Sequence, residues 1–139
     1  MSSHFFKELE QANENTALAL NDVLDALVYN EDGLIPCIAQ QHDSKEVLMM
    51  AWMNRASIEE SLTTGQVCYW SRSRQCYWRK GESSGNRQAL ISLATDCDGD
   101  ALLAQVDQTG AACHTFRRDC FYISLNADGA LISSNAGKA

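Results

Sequence analysis

The chain has 139 residues, 45% hydrophobic and 21% charged, a balance that suits one domain around a single core. Its net charge of −7 sets it against nucleic acid and anionic membranes as partners. No apolar run approaches a membrane span, the N-terminal stretch MSSHFFKELEQANENTALAL is too polar for a signal peptide, and six cysteines outside a secretory context point to reduced thiols in the cytoplasm.

In chain order, residues 3–29 predict helix, with Phe5, Leu9 and Ala12 on one face, Leu20, Leu24 and Leu27 on another, and a break at Asn15–Thr16. NEDGLIP, residues 30–36, is a turn signal that hands over to the main domain. Residues 47–52 are an apolar run that predicts a strand. Asn54 then suits an N-cap, Ile58 and Leu62 form an i, i+4 pair, and Gly65 suits a C-terminal stop. Beyond Gly65 the pattern predicts strands at 67–70, 75–78, 89–94, 101–106 and 120–125. The expected fold is α+β, a mostly antiparallel sheet with N-terminal helices. The expected organisation is a helical extension over 1–29, a domain over 30–126 and a flexible tail over 127–139.

Two kinds of metal ligand interleave in TDCDGDALL, residues 95–103. Asp96, Asp98 and Asp100 offer hard oxygens, and Cys97 between them offers a soft sulfur. An EF-hand loop would need glycine at its sixth position and glutamate at its twelfth, but counting from Asp96 those positions hold Ala101 and Asp107. Two geometries remain. An extended segment points the carboxylates one way and Cys97 the other, whereas a turn at Asp98–Gly99 gathers the carboxylates around itself. A solvated acidic turn with no metal is the plain alternative.

Downstream, GAACHTFRRDCFY carries Cys113, His114 and Cys120, so three cysteines follow a C-x15-C-x6-C spacing. That is not the paired spacing of a closed structural zinc site, whereas catalytic zinc commonly takes three protein ligands. The competing reading is that these cysteines are small buried hydrophobes, a description that suits Cys37, Cys68 and Cys76 in their apolar runs.

WSRSRQCYWRKGESSGN, residues 70–86, concentrates Arg72, Arg74, Arg79 and Lys80 in an acidic chain. Guanidinium forks and the hydroxyls of Ser71, Ser73, Ser83 and Ser84 suit a phosphate, and Gly81 and Gly85 let backbone N–H groups turn toward it. Trp70 and Trp78 can stack on a base or belong to the core. A charged edge strand guarded against aggregation explains the arginines but not the glycine–serine loop after them.

These strings resemble one family, the phosphoribosyl-AMP cyclohydrolases of histidine biosynthesis. The resemblance covers roughly residues 33–125, through GLIPCIAQ, EVLMMAWMN, TGQVCYWSRSRQCYWRKGESSGN, DCDGDALLAQVDQTGAACHT and DCF. Where family members usually read GPACHTG, this chain has GAACHTF, with Ala111 and Phe116. The resemblance implies a homodimeric hydrolase that uses zinc and magnesium to open the adenine ring of phosphoribosyl-AMP at the N1–C6 bond. It implies Cys97, Cys113 and Cys120 as zinc ligands shared between two subunits, and Asp96, Asp98 and Asp100 as magnesium ligands. Ser71, Arg72, Ser73, Arg74, Trp78, Lys80, Gly81, Glu82, Ser84, Gly85 and Asn86 then make the substrate-binding stretch. His114, beside Cys113, is the candidate for moving protons.

Two rivals are weighed beside this. A zinc nucleobase deaminase shares hydroxide attack on adenine C6, but its H-x-E…P-C-x-x-C signature is missing: none of His4, His42 and His114 is followed by x-Glu. A non-catalytic zinc module binding a nucleotide would need four closed ligands.

Overall fold

The computed structural model describes residues 2–133. Helices α1 (Ser2–Leu9) and α2 (Leu20–Ala26) precede strands β1 (Ile35–Gln41) and β2 (Val47–Met53). Helix α3 (Arg55–Thr64) leads into β3 (Cys68–Ser71), β4 (Cys76–Arg79), β5 (Gln88–Thr95) and β6 (Leu102–Gln108). A hairpin of β7 (Ile123–Asn126) and β8 (Gly129–Ile132) follows. Six strands form one sheet in the order β4–β3–β2–β1–β6–β5, and the hairpin is a separate two-stranded sheet. Every strand pairing is antiparallel except β1 with β6. The fold is α+β and mostly antiparallel, as expected.

Local chemistry explains where these elements start and stop. The Asn54 side chain accepts the Ser57 N–H and the Ser57 hydroxyl accepts the Asn54 N–H, a reciprocal cap that opens α3. Gly65 ends the helix in the left-handed region, with φ of 77°. The expected break at Asn15–Thr16 falls between the two N-terminal helices, which are shorter than the expected 3–29 span. Between them the polar run after Leu9 closes turns on itself, with Thr16 Oγ1 donating to the Asn13 carbonyl at 2.6 Å and Asn15 at φ 67°. Strand β1 has no counterpart among the expected strands: the turn signal covers only its first two residues and nothing is expected over 37–41, yet its residues alternate between buried and open as a strand should. Residues 120–122 lie outside any strand, so the expected strand at 120–125 starts only at Ile123. The expected tail from 127 instead holds β8, and residues 134–139 lie outside the described part.

One face of the sheet builds the core. Ile35, Cys37 and Ala39 of β1, Leu102, Ala104 and Val106 of β6, and Leu48 and Met53 of β2 are buried there with Ile58 of α3, Leu24 of α2 and Phe6 of α1. Of the face expected on the second helix, Leu24 and Leu27 are buried but Leu20 is exposed. The opposite sheet face is apolar and open. Ile38 sits opposite both Met50 and Leu103 in register, and the three are 38%, 44% and 36% exposed. Among the described residues no helix is long and apolar enough to cross a membrane.

Candidate active site

The acidic segment adopts the turn geometry. Strand β5 ends at Thr95, β6 begins at Leu102, and Gly99 between them takes φ 74°. Asp96 Oδ1 accepts the backbone N–H of Asp100 at 3.0 Å and of Ala101 at 3.4 Å, which folds the turn over its own side chain. The three carboxylates end within 4.8 Å of one another, all exposed. Hydrogen bonds to Asp96 and then Asp98 hold a proton on Asp100 and push its pKa up to about 6. Slight desolvation acts to raise Asp96, but hydrogen bonds from Asp100, Ala101 and Asp98 outweigh it and hold that carboxyl below its usual range. Three oxygen donors that must share a proton when bare suit a hard divalent cation.

The turn is buttressed by the N-terminal extension. A Cβ on Gly99 would lie 2.1 Å from the Phe6 ring, and the Val28 N–H donates to the Gly99 carbonyl at 2.8 Å. No signal in the acidic string announces that contact, because it joins residues far apart in the chain.

The other cysteines line a different place. A cavity of about 630 Å³, of a size to hold a nucleotide, is walled by β4, the 80–86 loop and the 112–120 loop. It takes Ser71, Ser73, Arg74, Trp78, Lys80, Gly81, Glu82, Ser84 and Asn86 from the basic stretch, together with Cys113, His114 and Cys120. Gly81 and Gly85 turn the loop in the left-handed region, at φ 87° and 81°, and a Cβ on Gly81 would strike Arg87 at 2.6 Å. Among the described residues the N–H groups of Ser83 and Ser84 find no acceptor within the chain, so they are open to a ligand.

Not every basic residue faces the cavity freely. Arg79 is forked by Glu60 at 2.6 and 3.0 Å, and Arg72 lies over the Trp52 ring at 4.8 Å beside a smaller cavity that also takes Trp70. Gly85 shapes the loop without lining the cavity. Met49, Tyr77 and Ala112, not singled out from the sequence, also line it, as does Phe116. Cys76, expected to be buried, is exposed on its wall, because β4 is the edge strand and all four of its residues are open. Phe116 stands where the resembling family usually has glycine, and it holds φ 67°, a conformation glycine adopts freely.

Cys113 and Cys120 meet in the cavity wall. Burial acts to raise Cys113, but hydrogen bonds from the Thr115 hydroxyl, at 3.0 Å, from its backbone and from Cys120 bring the thiol below its ordinary value. Desolvation of its sulfur and the charge of Cys113 push Cys120 up to about 12. The shifts pull in opposite directions because the two sulfurs face each other, and a soft cation between them would take both as thiolates. Two strands hold the pair: the Cys120 N–H donates to Leu48 of β2 at 2.7 Å, and Lys80 at the end of β4 donates to the Ala112 carbonyl at 2.8 Å.

Cys97 is elsewhere. It precedes β6 whereas Cys113 and Cys120 follow it, and among the described residues the three sulfurs do not gather into one cluster. Among the described residues the aspartate triad is the only cluster of three metal-ligating groups.

Residues 49–122 match the family model for phosphoribosyl-AMP cyclohydrolase. Over 129 residues the chain is 64% identical to the phosphoribosyl-AMP cyclohydrolase of Chromohalobacter salexigens, covering 93% of this chain and 88% of that one. It is also 64% identical to that of Alkalilimnicola ehrlichii, over 89% and 87% of the two chains. The protein named phosphoribosyl-AMP cyclohydrolase 2 in Pseudomonas fluorescens is 62% identical, over 89% and 84%.

The chain belongs to the phosphoribosyl-AMP cyclohydrolase family. It is accordingly an enzyme, and the residues that match the family contain the cavity, the acidic turn and all the cysteines but Cys37. Helices α1 and α2 and both strands of the C-terminal hairpin fall outside them.

Proposed function

We propose that this enzyme hydrolyses the N1–C6 bond of phosphoribosyl-AMP in a zinc- and magnesium-dependent homodimer. The observation that carries the reading is the Cys113–Cys120 pair in the wall of a nucleotide-sized cavity that also holds Arg74 and the 80–86 loop. The substrate carries a ribosyl group on N1, so its purine is cationic and C6 is electrophilic. Zinc, when bound, supplies an ionised water near neutral pH, and magnesium supplies positive charge for phosphate or ribose oxygens. Addition of water forms a C6–O bond, and collapse breaks C6–N1 only if a proton reaches N1 rather than the exocyclic amine. His114, exposed beside Cys113 on the cavity wall, delivers that proton. Arg74 and the open N–H groups of Ser83 and Ser84 grip a phosphate, and the half-exposed Trp78 ring offers the base an apolar wall.

On this reading Cys97 reaches the Cys113–Cys120 pair of a second chain, since among the described residues the three sulfurs of one chain do not form a cluster. The exposed Cys97, the open apolar face around Ile38 and the exposed Ile123, Leu125 and Ile132 of the C-terminal hairpin all support pairing with a second copy. Ligating thiols that must stay reduced fit the cytoplasm.

The test is to incubate the purified protein with phosphoribosyl-AMP and to follow the absorbance of the ring-opened product and the release of ammonia. Ring opening without ammonia is the expected result. Ammonia release would move the assignment to a deaminase, and no turnover of the metal-loaded protein would leave a binding module.

A further inference from the structure

Four basic residues crowd the stretch from 72 to 80, and they do different things. Arg79 is taken by Glu60, Arg72 lies on Trp52, and Arg74 faces the cavity with no ion pair among the described residues. Lys80 is the buried one, 8% exposed. Its Nζ donates to the Ala112 carbonyl at 2.8 Å, lies 5.2 Å from the centre of the Trp78 ring, and is within electrostatic reach of the Cys120 and Cys113 sulfurs. Among the described residues no carboxylate pairs with it.

Burying an ammonium with no counter-charge is costly, because the low-dielectric interior does not replace its lost hydration. A carbonyl and a ring face lessen that cost without cancelling the charge. The two sulfurs can cancel it, and they are where negative charge is expected: three thiolates around a dication leave one net negative charge. The direction of the side chain agrees. Residues in succession along a strand point to opposite sides, so Arg79 reaches α3 while Lys80 turns inward to the cysteine loop.

We propose that Lys80 is a positioning residue of the thiolate site: through the Ala112 carbonyl it fixes the loop that carries Cys113, and its charge balances the thiolates of Cys113 and Cys120. The phosphate grip then belongs to Arg74 and the serine loop. This rests on the zinc reading given above and adds to it a residue that holds the ligands without touching substrate. Lys80 also ties the ligand loop to the edge strand β4, whose own edge lines the cavity, so the zinc side and the substrate side of the pocket are braced by one side chain.

The experiment compares wild-type enzyme with Lys80→Met, Lys80→Gln and Lys80→Arg. Zinc content and the rate of zinc loss to a chelator are measured, together with the sulfur-to-cobalt absorption of the cobalt-substituted proteins and kcat and KM. Lys80→Met should hold zinc about 10- to 100-fold more weakly, as outer-shell changes do, shift the cobalt band, and lower kcat with little change in KM. Lys80→Arg, which keeps the charge, should recover part of the zinc retention. If Lys80→Met does not fold, Lys80→Gln, which keeps a donor for Ala112 and drops the charge, makes the same comparison. Wild-type zinc retention with a raised KM in the uncharged variants would overturn this inference alone and return Lys80 to the phosphate. Wild-type protein that binds no zinc would overturn the reading beneath it as well.

Discussion

The acidic turn and the cysteine loop assemble their ligands in opposite ways. Asp96, Asp98 and Asp100 fall within five residues, and one turn brings their oxygens within 4.8 Å of one another. Cys97 lies inside that same turn, but its sulfur partners are beyond β6, at the far end of a seven-residue strand. On the metal reading proposed above, the hard site is complete in one chain and the soft one needs a ligand from outside it. Ligands that are close in sequence depend on turn geometry, whereas ligands far apart depend on topology, and here topology sends Cys97 away from Cys113 and Cys120. On that proposed reading, folding, pairing of subunits and zinc binding are one linked equilibrium.

The sharpest break of this contrast is at the sulfurs. Cys113→Ala or Cys120→Ala should abolish turnover and strip zinc while leaving the acidic turn able to bind magnesium, as read by metal analysis and calorimetry. Cys37→Ala, in a strand of the core, should keep both metals and lose only about 1 kcal/mol of stability for the sulfur removed. Full activity in Cys113→Ala would remove the zinc assignment.

The converse break is at the carboxylates. Asp98→Asn should weaken magnesium on the order of ten-fold or more and leave zinc content unchanged. The bare turn also has a signed pH dependence. The folded pKa of Asp100, about 6, lies above its ordinary value of 3.8, so the shared proton stabilises the metal-free fold fully below the lower value. That contribution is lost as pH rises through about 6, and added magnesium should replace it. The rise in Tm on adding magnesium should therefore grow across this window. A rise that shrinks with increasing pH would contradict the account of the turn.

Arg74→Ala should raise KM by about ten-fold, for one lost charge-assisted hydrogen-bond pair, and spare zinc. Unchanged kinetics would favour a charged edge strand. Smallest of all, Phe116→Gly should raise stability by up to about 1 kcal/mol in chemical denaturation, because glycine takes the left-handed backbone without strain. A loss of stability there would mean that the Phe116 side chain makes contacts worth more than the strain.

What could be read from the sequence follows the same division. The cap at Asn54, the stop at Gly65 and the strands from 67 to 106 depend on neighbours in the chain, and each lies close to where the pattern puts it. The basic stretch and the aspartate triad were legible for the same reason. Strand β1 was missed because a proline and a turn signal sit at its start and its residues 35–39 are apolar without alternating; the alternation of its burial exists only in the fold. The contact of Phe6 with Gly99, the burial of Lys80 against Ala112 and the exposure of Cys76 were not legible. Each depends on which strand is at the sheet edge or on which distant element packs against it, and neither has a period or a spacing in the sequence.

The measurement that tests the divided zinc site most directly mixes two inactive proteins, Cys97→Ala and Cys113→Ala, under conditions of demonstrated subunit exchange. If Cys97 of one chain completes the Cys113–Cys120 pair of the other, one of the two sites in each mixed dimer has all its ligands. Random exchange makes about half of the dimers mixed, so roughly a quarter of wild-type activity should return. If all three cysteines of a site came from one chain, every site would keep its lesion. Activity that stays at zero after exchange would contradict the account.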